Sequence, residues 1–189
     1  MTRLKALVLT LAGLLGSCAT PAPKAEEAAL EVFKQWVKDT VEGNAEASFA
    51  GLAPTFQSEW LYLRAADNDG VFRDWRGALT GKARTELDIW IDFCKRTRAK
   101  SGRAEEAPPS VLQHPLLQVL WKTYFAAEAR AVAFQLSRLE VLKAYADDSG
   151  VTIAVRSLSQ GTELYGMAMT AGGWKIDNHR QPNQPSRNP

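Results

Sequence analysis

Apolar residues recur along this 189-residue chain at two spacings, and the spacing changes once, near position 138. Before that point the pattern is helical. Leu30, Phe33, Val37 and Val41 follow one another at three- and four-residue steps with Trp36 beside them, which predicts a helix from Glu26. Glu26 and Glu27 favour its N-terminus and Gly43 closes it. Asn44 can cap a short second helix running towards Leu52, ended by Pro54. Thr55–Ala66 reads as a helix carrying Phe56, Trp60 and Leu63. Asp67–Gly70 reads as a turn, and Val71–Trp75 as a short strand. Lys82–Ala99 repeats the helical stripe with Leu87, Ile91 and Cys94, Trp90 lying beside it. Gly102–Ser110 is a loop containing Pro108-Pro109. A helix opened by His114-Pro115 runs to about Phe134, apolar on most sides, which predicts a central position.

After that helix the period becomes two. Leu139, Val141 and Tyr145 alternate with polar neighbours, as do Val151, Ile153 and Val155, then Tyr165, Met167 and Met169, and Trp174-Lys175-Ile176-Asp177 completes the series. The separators Asp147–Gly150, Ser159–Gly161 and Ala171–Gly173 are short and turn-forming, so neighbouring strands should be antiparallel. The expected fold class is α+β, with N-terminal helices packed on one face of a C-terminal antiparallel meander.

The first 17 residues obey neither pattern. Arg3 and Lys5 precede an apolar run from Ala6 to Leu15, too short to span a bilayer, and small residues lead up to Cys18. Leu15-Gly16-Ser17-Cys18 resembles the lipobox of bacterial lipoproteins: an aliphatic residue, two small residues and a cysteine. The resemblance implies cleavage between Ser17 and Cys18 and lipid on the Cys18 sulfur, with several acyl chains sufficient for stable anchoring. An alternative cut after Ala19, at Ser17-Cys18-Ala19, would release a soluble form. The expected organisation is a signal peptide over 1–17, a Pro-containing tether over 18–25, one domain over 26–178 and a disordered tail over 179–189. The expected location is the cell envelope, anchored to a membrane (the outer one in a Gram-negative cell) and facing the periplasm or the exterior.

Charge narrows the partners. The chain has 23 basic and 21 acidic side chains, and Arg3 and Lys5 would leave with the signal, balancing the remainder at 21 each. A nucleic-acid binder normally keeps a basic excess, so none is expected as partner. Six tryptophans, seven phenylalanines and 46% hydrophobic residues suffice for a core. With Cys18 lipidated, Cys94 has no intramolecular partner and reads as a small core residue rather than half of a disulfide.

Both ends of the domain resemble the nuclear transport factor 2-like superfamily, the cone-shaped fold shared with ketosteroid isomerases and many bacterial lipoproteins. The matching stretches are Phe33, Trp36 and Val37, then Gly43–Ala47 and Leu52-Ala53-Pro54, and at the other end Tyr165–Met169 followed by Gly172–Ile176. The resemblance implies a curved sheet wrapped by helices around a pocket. The middle departs from it, being helical between Asp67 and Arg130 where that fold places early strands, and no catalytic Asp/Tyr pattern of the enzymatic members can be matched.

The chain offers little recognisable chemistry. Asp67-Asn68-Asp69-Gly70 fails as a calcium loop, because alignment on Gly70 puts Ala65 and Arg76 where carboxylates are required. Gly77–Ala83 fails as a phosphate loop, one residue short and with Ala83 in place of a hydroxyl. His114 opens a helix and His179 falls in the expected tail, so no metal site or cofactor is predicted, nor any catalytic residue. Glu86 and Asp88 read as solvated surface, as do Lys95, Arg96, Arg98, Lys100 and Arg103 at a helix C-terminus. Tyr145, Tyr165, Met167, Met169 and Trp174 are the candidate lining of an apolar pocket, with plain core filling as the alternative. The reading is a non-catalytic envelope lipoprotein that binds a partner or ligand, or supports an assembly, with an envelope protein or an apolar ligand as the candidate partner. The competing classes are a carrier with an elongated apolar cavity and a small enzyme with a buried Asp, Glu or Tyr facing an open one.

Overall fold

The computed structural model describes residues 24–148, 150–157 and 161–180. The expected signal segment, its cleavage point, Cys18, most of the tether and positions 181–189 of the tail lie outside these residues.

Seven helices precede four strands. Helix α1 (Ala25–Val41) buries Ala29, Phe33 and Thr40, and Gly43 follows its end with φ +82°. In α2 (Ala45–Ala50) the Asn44 side chain accepts a hydrogen bond from Ala47 N, as the sequence predicts. Pro54 stands at the first position of α3 (Pro54–Asp67), so it starts that helix as much as it bars the previous one. Asn68 then takes the left-handed conformation (φ 46°) that closes a helix, and Asp69 caps the next through Phe72 N. Residues 71–75 are accordingly not a strand but the body of α4 (Gly70–Ala78). Phe72 and Trp75, three apart, are both buried, a spacing only a helix puts on one face.

Helix α5 (Gly81–Ser101) buries Leu87, Trp90, Ile91 and Cys94. Cys94 has no exposure, and burial pushes its thiol up. A short α6 (Pro109–Leu112) takes in the end of the expected loop and the two residues after it, and α7 (Pro115–Leu136) follows, with His114 Nδ1 accepting from Leu116 N. The expectation that α7 is central is corrected: only Leu117, Leu120 and Leu136 are buried, while Val119 and Phe134 are 55% and 58% exposed. Its second half is rich in alanine, which reads as apolar but has little bulk to bury.

Strands β1 (Glu140–Asp147), β2 (Gly150–Ser157), β3 (Gly161–Thr170) and β4 (Gly173–Arg180) form one antiparallel sheet in chain order. The α+β meander expected from the sequence is present. Val151, Ile153, Val155, Tyr165, Met167 and Ile176 face the helices and join Phe33, Leu52, Leu61, Leu87, Leu117 and Leu120 in one core. Two residues bulge out of register: Leu142 in β1 and Asp177 in β4. Beside β4, Ala53 N donates to Ile176 O (2.8 Å) and Ile176 N to Gly51 O (2.9 Å), a single parallel bridge at Leu52 that partly covers this sheet edge. Strand β4 extends through Arg180, so the domain continues past 178 and His179 belongs to the sheet rather than to a tail.

Candidate functional site

On β3, Glu163, Tyr165 and Met167 share the face turned towards the helices. On β4 the Asp177 bulge resets the alternation, so Ile176 pairs with Met167 and His179 with Tyr165, both on that face. The result is a polar cluster at the edge of the core. His179 Nε2 lies 2.7 Å from Glu163 Oε2, and the imidazole stacks on the Tyr165 ring at 4.4 Å and 22°. An ionised carboxylate only accepts, so Nε2 carries the hydrogen. Tyr165 Oη donates to the same Oε2 at 3.5 Å. Burial, reinforced by Glu163, pushes the Tyr165 phenol well above its usual range, so it keeps its proton. Glu163 and Tyr165 are each 6% exposed.

These three side chains border a cleft of about 240 Å³. Trp36 of α1, Phe56 of α3, and Val132, Gln135 and Leu136 of α7 form its other walls. A second cleft of about 140 Å³ lies beside it along α7, between Trp60, Trp121, Tyr124, Phe125 and Glu128, and shares Trp36 and Val132 with the first as walls. Its walls are held rigidly. Trp36 Nε1 donates to Ser48 O (3.0 Å) and Trp121 Nε1 to Ala45 O (2.9 Å), which satisfies both indoles and fixes their planes. Trp60 sits edge-on to Trp121 at 5.0 Å. Together the clefts form an aromatic seam beneath α7 with the Glu163–His179–Tyr165 cluster at its sheet end.

Of the five residues expected to line an apolar pocket, Tyr165 borders the seam. Met167 is 2% exposed and fills the core. Tyr145 pairs with Thr152, which pairs with Gly166, and therefore lies on the opposite face of the sheet, 36% exposed. The extra Leu142 is the reason, since one inserted residue turns every later side chain over. Met169 keeps the helix-side parity but lies beyond the reach of the helices and is 61% exposed. Trp174 packs against the margin of the core and lines neither cleft of the seam.

The sequence reading missed Glu163 and His179. Glu163 was detectable, because it holds an inward position of a strand whose other inward residues are apolar. His179 was hidden by ending the domain one residue too early.

On the opposite face, Thr152, Gly166, Asn178 and Arg180 border a polar cleft of about 260 Å³ closed by Arg103, whose guanidinium holds Asp177 Oδ2 (3.3 Å) and Asp177 O (2.8 Å). Thr55 also hydrogen-bonds Asp177. The basic cluster after α5 is thus partly engaged, with Arg98 bonded to Glu59 (2.6 Å) and Lys95 to Asp92 (3.2 Å). The acids read as plain surface are engaged too: Glu86 accepts from Ser110, and Asp88 binds Arg76 and Arg84. Among the described residues no three His, Cys, Asp or Glu cluster to hold a metal, and no helix is long and apolar enough to cross a membrane. Comparison with family models, curated proteins and solved structures returns no match.

Proposed function

We propose that this is a lipid-anchored lipoprotein of the bacterial envelope whose domain binds a small, largely apolar ligand in the seam beneath α7. The observation that carries the binding half is the pair of neighbouring clefts that share Trp36 and Val132 as walls, with aromatic side chains along most of their lining and hydrogen-bonding groups gathered at one end. Apolar walls supply affinity and a few convergent polar groups set orientation. The anchoring half rests on Arg3, Lys5, the apolar run and Leu15–Cys18. Helix α1 begins seven residues after Cys18, a connection of about 20 Å if extended, which would keep the domain close to the membrane surface.

The nuclear transport factor 2-like reading belongs here as well. A four-stranded meander covered on one face by helices supports it, as does the lone bridge of Leu52 to Ile176, which occupies the place of an added strand. In this proposal α4, α5 and α6 stand where that fold usually has its early strands.

Native mass spectrometry of full-length protein extracted gently from its own membrane tests both halves. A mass of Cys18–Pro189 plus acyl chains, accompanied by a small-molecule adduct, is expected. An unacylated chain starting near Thr20 would remove the anchor, and adduct-free protein that also fails to take up apolar probes would remove the binding site. A second reading, acid–base catalysis, is favoured by the 2.7 Å Glu163–His179 pair beside an open cleft. Ligand recovered unchanged after incubation supports carriage, whereas conversion that disappears in His179→Gln supports an enzyme.

A further inference from the structure

We infer that the ligand of this seam is an organic cation, an apolar body bearing a protonated amine that seats against Glu163. The inference rests on reading the seam as a binding site and adds the chemistry of its occupant. Charge is the first argument. Neither a lysine nor an arginine is among the residues lining the two neighbouring clefts, whereas Glu163 borders one and Glu128 the other. Glu163 is 6% exposed, and a carboxylate so far from water needs a positive partner or several donors. Its contacts with His179 and Tyr165 both fall on Oε2, which leaves acceptor capacity on a group with about four acceptor positions.

The walls give the second argument. Trp36, Phe56 and Tyr165 line the cleft that holds Glu163, and the faces of such rings attract cations. Stacking on Tyr165 and the contact with Glu163 Oε2 fix the His179 ring and orient the carboxylate from one side. A fatty acid or an anionic lipid headgroup would meet like charge at the Glu163 end, which no arginine or lysine lines. An alkyl- or arylammonium ion would find a carboxylate and aromatic side chains together.

The test compares three water-soluble probes of nearly equal shape, 4-phenylbutylamine, 4-phenylbutanol and 4-phenylbutanoate, titrated calorimetrically into the full-length protein. The expected order is amine, then alcohol, then carboxylate, with the amine at least about tenfold tighter than the alcohol, the gain typical of a hydrogen bond to a charged group. Glu163→Gln should abolish most of that advantage and leave alcohol binding within about threefold. The wild-type order is informative even if Glu163→Gln fails to fold. Equal affinities, or carboxylate binding tightest, would overturn the inference while leaving the seam as a binding site. No binding by any of the three would overturn the binding-site reading itself.

Discussion

Asp177 occupies the extra position of the β4 bulge and joins three parts of the chain: Thr55 at the start of α3, Arg103 after α5 and β4 itself. Burial would raise its pKa, but the hydrogen bonds from Thr55, Arg103 and Asn178 outweigh burial and hold it below the usual carboxylate range. A depressed folded-state pKa gives stability that is complete above the unfolded value near 3.8 and is lost as pH falls through the lower folded value. Asp177→Asn should therefore cost about 2 kcal/mol at pH 7, and the gap from wild type should narrow as unfolding is followed down to pH 2. Cys94 has the opposite character, a fully buried thiol whose pKa is raised by burial. In native protein its peptide should stay unmodified by iodoacetamide over hours and react promptly in denaturant, as peptide mass spectrometry would show. Rapid labelling in the native state would contradict this packing.

At the scale of elements, two local features are open to direct measurement. Asn44→Ala removes the α2 cap and should cost about 1 kcal/mol in chemical denaturation. Gly150 opens β2 with φ +144°, and a Cβ there would lie 2.2 Å from Met167 O, so Gly150→Ala should cost more than about 2 kcal/mol. Most elements were legible in the sequence for the same local reasons. Caps at Asn44 and His114 and stripes such as Leu87, Ile91, Cys94 are readable within a few residues. What failed needed information from elsewhere in the chain. Five residues at 71–75 are too few to separate a strand from a helical turn, and the Asp69 cap decides between them. No count of alternation reveals that Leu142 is an extra residue, so Tyr145 was assigned to the wrong face. The site suffered similarly, since Glu163, Tyr165 and His179 meet only through strand pairing and the Asp177 bulge.

For the whole molecule, Phe33 is one of the points at which helices and sheet are joined. It is 1% exposed, lies 5.0 Å from the Tyr165 ring and 6.1 Å from Trp36, and so ties α1 to β3 beside the seam. Phe33→Ala should cost about 3–5 kcal/mol, a large share of the 5–15 kcal/mol typical of a folded domain, and should blunt the thermal transition in calorimetry. The sheet is less evenly protected than the core. Strand β4 has the Leu52 bridge at its side, whereas among the described residues β1 pairs only with β2 and leaves Val141, Leu142 and Tyr145 at 36–40% exposure.

Helix α7 has one further consequence for how anything reaches the seam. Between Leu120 and Leu136 none of its residues is buried, yet Trp121, Tyr124, Phe125, Val132 and Gln135 wall the two clefts. Trp121 and Tyr124 are anchored to Ala45 and Asp69, so residues 126–134 are the part of this wall that detaches at least cost, their side chains being largely exposed already. Amide hydrogen exchange should show residues 126–134 trading their protons faster than α1 or α5, and a seated ligand should slow that exchange. The residence time of the ligand would then be set by the fraying of half a helix rather than by the strength of its contacts alone.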